Sequence, residues 1–159
     1  MNVGVDHFGF LTRDTCVLDI QGKLVTEGYV SLGPGCYLYI GPLATMVMGT
    51  QSYVTSTSHF FINHGLIIGQ DVAISWGCQF LDDSLHTLTY EGQIPKLDKR
   101  IIIGDHVWIG SRVSVLSGAV IPTGCVVASG SVVTKAFSET KVLLAGNPAK
   151  IIRHNVEWA

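Results

Sequence analysis

IIIGDHVWIGSRVSVLSGAVIPTGCVVASGSVVT, residues 101–134, sets Ile103, Ile109, Val115, Ile121, Val127 and Val133 six residues apart. Four residues after these positions the side chains are small or β-branched: Val107, Val113, Ala119, Cys125 and Ser131. The next residue is mostly small as well, namely Gly104, Gly110, Pro122, Ala128 and Thr134, with Leu116 the exception. A period of six is neither the ~3.6 of an α-helix nor the alternation of a flat strand. It is the pattern of a parallel β-helix, in which one hexad supplies one short strand and one corner. The regular residue faces an apolar column, and the small one lets the chain turn against its neighbour.

Working outward, Ile62, Ile68, Ile74 and Phe80 continue the repeat, and Leu32 and Leu38 fit it too. Between residues 40 and 61 the register is not readable, although short strands and turns are expected. Residues 1–30 match poorly and are expected to form an atypical N-terminal coil, as terminal repeats of solenoids do. The main break lies between Phe80 and Ile101. Its polar residues, including Asp82, Asp83, Ser84 and His86, predict a loop over about 81–102, emerging from the stack as insertions in solenoids do. After Val133 the pattern ends. Asn147 reads as an N-cap and Pro148 as a first helical residue, which predicts a short C-terminal helix over about 147–157. All of residues 1–159 read as one domain.

The composition narrows the function. The chain is 47% hydrophobic and only 14% charged, which excludes disorder and suits a continuous apolar column. A net charge of −2 supplies no general field for nucleic acid or for a membrane surface. No apolar run approaches the ~18 residues of a membrane span, and residues 1–7 lack the basic and apolar regions of a secretory signal. No membrane insertion and a cytoplasmic location are therefore expected. Cys36, Cys78 and Cys125 fall at small inward positions of hexads and, with Cys16, read as core thiols rather than a disulfide framework.

The hexads, the block Ile103–Gly110 containing Val107-Trp108-Ile109-Gly110, and the tail Ala145-Gly146-Asn147-Pro148-Ala149-Lys150 resemble the hexapeptide-repeat acyltransferases. The galactoside and maltose acetyltransferases and the polysaccharide O-acetyltransferases are the nearest branches. The resemblance spans residues 62–153 well and the first sixty loosely. It implies an all-β fold, a left-handed parallel β-helix, and a homotrimer that binds acetyl-CoA in grooves between subunits. It also implies direct transfer of the acetyl group to a hydroxyl or amine, with no metal.

Position by position, the resemblance makes His86 the general base. An imidazole whose ordinary pKa is near ~6.5 is largely neutral at pH 7 and able to take the proton of an attacking hydroxyl. Asp82, four residues earlier, takes the place of a carboxylate that orients the ring, and Asp83 is a candidate for holding the acceptor. A second family aspartate two residues before the histidine is replaced by Ser84, and an acceptor-holding asparagine on the preceding coil falls near Gly77. On the donor side, Trp108 matches the tryptophan of the groove, Ser111 a backbone donor near the thioester, and Ser129 a contact to the pantetheine arm. Thr134, Lys135, Lys150 and Arg153 match positions near the phosphates, and on the predicted helix Lys150 and Arg153 share a face.

Three other readings compete. An N-acetyltransferase acting on an amino-sugar nucleotide uses the same base. A non-catalytic β-helix scaffold or binding subunit has no need of His86 together with the basic set. A zinc-dependent carbonic anhydrase on the same solenoid needs three histidines. His59 and His64 have a suitable spacing, but no histidine stands at the expected upstream place.

Overall fold

The computed structural model describes residues 1–5, 14–89, 91–94 and 98–159. Residues 6–13 of the expected N-terminal coil, and Tyr90 and residues 95–97 of the expected loop, lie outside the described set. The chain winds as a three-sided parallel solenoid of about five turns, consistent with a left-handed β-helix. Face A carries the strands Asn2–Val3, Val30–Leu32, Ser52–Val54, Ala73–Ile74, Trp108–Ile109, Val126–Val127 and Val142–Gly146. Face B carries Val17–Ile20, Tyr37–Ile40, His59–Ile62, Gln79–Leu81, Ser114–Leu116 and Val132–Val133. Face C carries Lys23–Thr26, Thr45–Met48, Leu66–Ile68, Ile101–Ile103 and Val120–Ile121.

The inward column follows from the hexad. Leu32, Val54, Ile74, Ile109, Val127 and Leu144 stack on face A, and Leu38, Phe60, Phe80, Val115 and Val133 on face B, all fully buried. Phe60 and Phe80 lie 4.6 Å apart at 3°, a parallel stack imposed by register. The small position four residues on fills the corners. Val107, Val113, Ala119 and Cys125 are fully buried there, as are Cys36 and Cys78 at the matching places. The small residue after each inward one is required by the next coil. A Cβ on Gly110 would stand 2.7 Å from the Ser129 amide nitrogen, and one on Gly33 only 1.1 Å from the Thr55 carbonyl oxygen.

The unreadable register between residues 40 and 61 has a simple cause. Leu32 pairs with Val54 and Val54 with Ile74, separations of 22 and 20 residues, whereas Ile109 pairs with Val127 at 18. The longer coils place extra residues at their corners, so the period of six holds within a coil but not across it. The N-terminal coil is regular in pairing, since each described strand extends one face. It is atypical in burial, with Val17, Leu18 and Ile20 exposed.

The expected C-terminal helix is not present. Val142–Gly146 joins face A beside Val126–Val127, and Ala149–His154 folds back on it antiparallel. Asn147 and Pro148 are turn residues as much as helix starters. Val142 and Leu144 are buried, while Leu143 between them and Ala145 after them are at intermediate exposure, an alternation that suits a strand closing the end of the apolar column. The second strand then pairs with what would be an open edge.

Candidate active site

The break in the repeat leaves the solenoid at the corner between faces B and C, after Gln79–Leu81 and before Ile101–Ile103. Asp82 opens it and is fully buried. Its two carboxylate oxygens accept hydrogen bonds from the amides of Asn63, His64 and Gly65, each 2.7 Å away, in the same corner of the coil below. The sequence placed Asp82 beside the His86 ring. The structure instead places its charge on three backbone donors, where it anchors the root of the loop.

Asp83 is a second anchor. Its carboxylate takes the Leu85 amide at 3.2 Å and lies 3.4 Å from both Lys99 Nζ and His64 Nε2. Burial works to raise this group. The Leu85 amide, the Lys99 ammonium and the His64 ring outweigh it and hold the carboxyl below its ordinary value. Lys99 stands where the loop returns, so this ion pair draws the two ends together.

His86 is exposed, and its Nδ1 lies 2.9 Å from the Ser84 carbonyl oxygen. A carbonyl only accepts, so Nδ1 carries the hydrogen, and the neutral ring keeps the Nε2 lone pair free. That tautomer is the one a general base needs. The ring contact expected of Asp82 is made here by the Ser84 main-chain oxygen.

Trp108 lies elsewhere, half exposed on the outer surface of face A, with Nε1 3.4 Å from Ser75 Oγ. It borders a cleft of about 290 Å³ together with Tyr53, Thr55, Ala73, Trp76 and Trp158. Ser111 and Ser129 come together at the corner between faces A and B, with their hydroxyls 3.2 Å apart. Lys135 and Lys150 line a second cavity, of about 280 Å³, with Phe137 and Ile151 at the end of the solenoid. The Lys135 ammonium lies over the Phe137 ring at 5.3 Å. Thr134 is exposed beside it.

Arg153 shares the outward side with Lys150, but not through helical spacing. On a plain strand, residues three apart face opposite ways. A bulge makes Leu143 pair with Arg153 and Leu144 with Ile151, which places one extra residue between them. Lys150, paired with Ala145, and Arg153 therefore both point away from the core.

The structure thus gathers the site residues into four groups: His86 with its loop root, the Trp108 cleft, the Ser111–Ser129 pair and the cations at the solenoid end. Face A is opposite the corner between B and C in a three-sided prism. Trp108 accordingly lies across the prism from the root of the His86 loop.

Three other described histidines have evident contacts. His59 packs edge-on against Tyr37, with centroids 6.3 Å apart, and His64 holds Asp83. His106 lies 2.6 Å from Asp71 and stacks on Trp158 at 4.3 Å. No group of three metal-ligating side chains occurs among the described residues. Burial pushes the Cys36 and Cys78 thiols up to about 11, so neither supplies a thiolate at neutral pH. The sequence reading missed Thr55, Trp76, Trp158 and the His64–Asp83 contact. The first two stand in the stretch where the register failed or at an unremarkable corner, and no local signal shows that the chain end crosses face A.

The bacterial transferase hexapeptide pattern of six repeats matches residues 100–135. Over 157 residues the chain is 34% identical to a 24.8 kDa protein in the cps region of Klebsiella pneumoniae, a span of 98% of this chain and 70% of that protein. Among solved structures it is similar to the polySia-specific acetyltransferase NeuO, at 23% identity and a TM-score of 0.59, covering 100% of this chain and 86% of that one. It is also similar to AntD, an N-acyltransferase from Bacillus cereus in complex with dTDP and 3-hydroxybutyryl-CoA, at 18% identity and a TM-score of 0.68, covering 86% and 76%.

Proposed function

The chain belongs to the bacterial hexapeptide-repeat transferase family, and from that premise we propose that it is an acetyl-CoA-dependent O-acetyltransferase acting on a saccharide. We place it in surface-polysaccharide or lipopolysaccharide synthesis, working in the cytoplasm. The observation that carries the reading is His86 on the excursion, with Nδ1 committed to the Ser84 carbonyl and Nε2 free. The similarity to NeuO, which is specific for polySia, supports a saccharide acceptor.

In this reading His86 Nε2 takes the proton of the acceptor hydroxyl as that oxygen attacks the thioester carbonyl carbon. Backbone donors near Ser111 stabilise the oxyanion of the tetrahedral intermediate. The carbon–sulfur bond then breaks, His86 returns the proton to the departing thiolate, and the acetyl group stays on the sugar oxygen. Direct transfer is favoured because the buried thiols are held protonated. Lys135, Lys150 and Arg153, with Thr134 beside them, meet the phosphates of the donor, and Ser129 its pantetheine arm.

Within one chain Trp108 lies across the prism from the root of the His86 loop, so the site is completed by a neighbouring copy, and a homotrimer is the assembly we assign. An unbroken outward column on face C supports such packing: Val25, Val47, Ile67, Ile102, Val120 and Ala136 occupy successive coils. Apolar side chains on neighbouring strands of an outer face are stabilised by covering them.

The test is release of CoA from acetyl-CoA in the presence of a panel of sugars and nucleotide sugars. His86→Ala is expected to lower kcat by about two to four orders of magnitude, the span of general-base catalysis. Near wild-type turnover in folded His86→Ala protein would sink the assignment. Acetylation of an amino-sugar nucleotide in place of a hydroxyl would leave the base and change the acceptor. Lys150→Ala combined with Arg153→Ala is expected to raise KM for acetyl-CoA about tenfold or more, from the loss of charge-assisted contacts. An unchanged KM removes those residues from the donor site.

A further inference from the structure

Tyr53, Ala73 and Trp108 occupy the same outward position on three consecutive coils of face A. Adjacent coils are roughly 4.8 Å apart, so an alanine between two aromatic residues leaves a slot between their rings. Trp108 is fixed by its hydrogen bond to Ser75. Trp158 closes a further side. It stands 6.4 Å from Trp108 at 46° and is held by its stack on His106 and by Nε1 donating to the His106 carbonyl at 3.0 Å. Trp76, half exposed, borders the opening.

Two observations define what this cleft accepts. The first is Thr55, only 6% exposed, whose Oγ1 is buried and has no hydrogen-bond partner among the described residues. An unpaired buried hydroxyl costs about 1–3 kcal/mol, so its presence asks for a reason. Packing supplies none. The equivalent corner residues on the coils below and above are Gly33, Ser75, Gly110 and Ala128, and Ser75 has a task in holding Trp108. The second observation is charge. No Lys, Arg, Asp or Glu side chain lines this cleft among its described residues, whereas Lys135 and Lys150 line the cavity at the solenoid end. A phosphate or carboxylate entering the cleft would lose its hydration without compensation.

We infer that the aromatic cleft on face A seats an uncharged pyranose unit of the acceptor, and that the Thr55 hydroxyl, buried in this structure, turns about χ1 to bond a sugar hydroxyl. The inference rests on the acyltransferase reading, assigns its acceptor a charge class and a seat, and moves Trp108 from the donor side, where the resemblance put it, to the acceptor side. A pyranose offers a flat face of polarised C–H bonds, which matches the electron-rich faces of indole and phenol rings, and a rim of hydroxyls for Thr55. A cleft of about 290 Å³ is at the small end of ligand sites and suits one sugar unit. A simple acyl chain would fill the aromatic space and leave Thr55 unpaired.

Binding is read by tryptophan fluorescence on the full chain, without reliance on turnover. The probes are neutral methyl glycosides (galactoside, glucoside, mannoside and rhamnoside), N-acetylneuraminic acid and butyryl-CoA. At least one neutral glycoside is expected to saturate the signal. Ala73→Phe, which fills the slot from outside the core, is expected to weaken that binding about tenfold or more, as losing a central pocket does. Thr55→Val is expected to weaken it about three- to tenfold, the worth of one hydrogen bond, and to leave Tm unchanged or raised. The inference is overturned if no neutral glycoside saturates, or if Thr55→Val binds like wild type. It is also overturned if N-acetylneuraminic acid or butyryl-CoA binds best and is the probe that Ala73→Phe excludes. Acetyl transfer is measured in parallel. Glycoside binding without any transfer removes the enzyme reading and keeps the cleft. Transfer whose acceptor KM ignores Ala73→Phe removes the cleft and keeps the enzyme.

Discussion

The wall from Ile101 to Val133 and the excursion from Asp82 to Arg100 are held by opposite means. In the wall every regular inward residue is buried against the same position of the next coil, and its backbone pairs in parallel. In the excursion the described apolar side chains Leu85, Leu88 and Ile94 are exposed, and the anchors are two carboxylates at its root. The wall carries rigidity, and the excursion carries His86, whose position depends on a few polar contacts. Functional groups placed on such a loop are steered by its root more than by the core.

Cutting the wall should produce the largest loss of stability. Ile109 is fully buried between Ile74 and Val127 on face A. Ile109→Ala is expected to cost about 2–5 kcal/mol, the transfer term plus a cavity that flanking coils cannot collapse. Urea unfolding should show one cooperative transition at a lower midpoint. A cost below about 1 kcal/mol would mean that the column repacks freely and that the wall is less rigid than its register implies.

Cutting the deeper anchor should cost less and act locally. Asp82→Asn keeps the size of the side chain but removes the charge, and one of its two acceptor oxygens becomes a donor facing an amide. The expected cost is about 1.5–3 kcal/mol, the range for hydrogen bonds to a charged group. Amide exchange at Asn63, His64 and Gly65 should accelerate far more than at Val113 or Val127. A fall in kcat with KM for acetyl-CoA retained should accompany it, because the root of the His86 loop shifts. Unchanged exchange at those three amides would deny Asp82 its anchoring role.

The same contrast explains what was readable in the residues. The wall was legible because a strict period of six writes both the inward column and the tight corners into the sequence. The stretch from 40 to 61 was not, because coils of 22 and 20 residues break the count while preserving the stack. Around Asn147 and Pro148, helix-start and turn signals coincide, and only pairing with Val126–Val127 decides between them. Lys150 and Arg153 were expected to share a helix face; a bulge in a strand, not a helical turn, puts them on one side. His86 was singled out by the resemblance together with its place in the break. Its partner was not, because a main-chain carbonyl leaves no mark in residue type. Thr55 was invisible for a similar reason, since a threonine at a β-corner is ordinary until its hydroxyl is found unpaired.

The shallower anchor gives the smallest effect and the finest test of the contrast. Because the folded state holds the Asp83 carboxyl below its unfolded value, its contribution is complete above the unfolded carboxylate range near ~3.9 and is lost as pH falls through the folded value. The carboxylate is about one-fifth exposed, so solvent screens its pairs with Lys99 and His64, and a contribution of roughly 1 kcal/mol is expected. This corresponds to about a fivefold rise in the open population of the loop. Limited proteolysis between Ser84 and Thr89 should therefore accelerate in acid before the wall loses its strand signal. Asp83→Asn should show that faster cleavage already at neutral pH, with the acid dependence of loop cleavage flattened. If Asp83→Asn and wild type are cut alike at every pH, the Lys99–Asp83 bridge does not close the loop, and Asp82 alone roots the excursion.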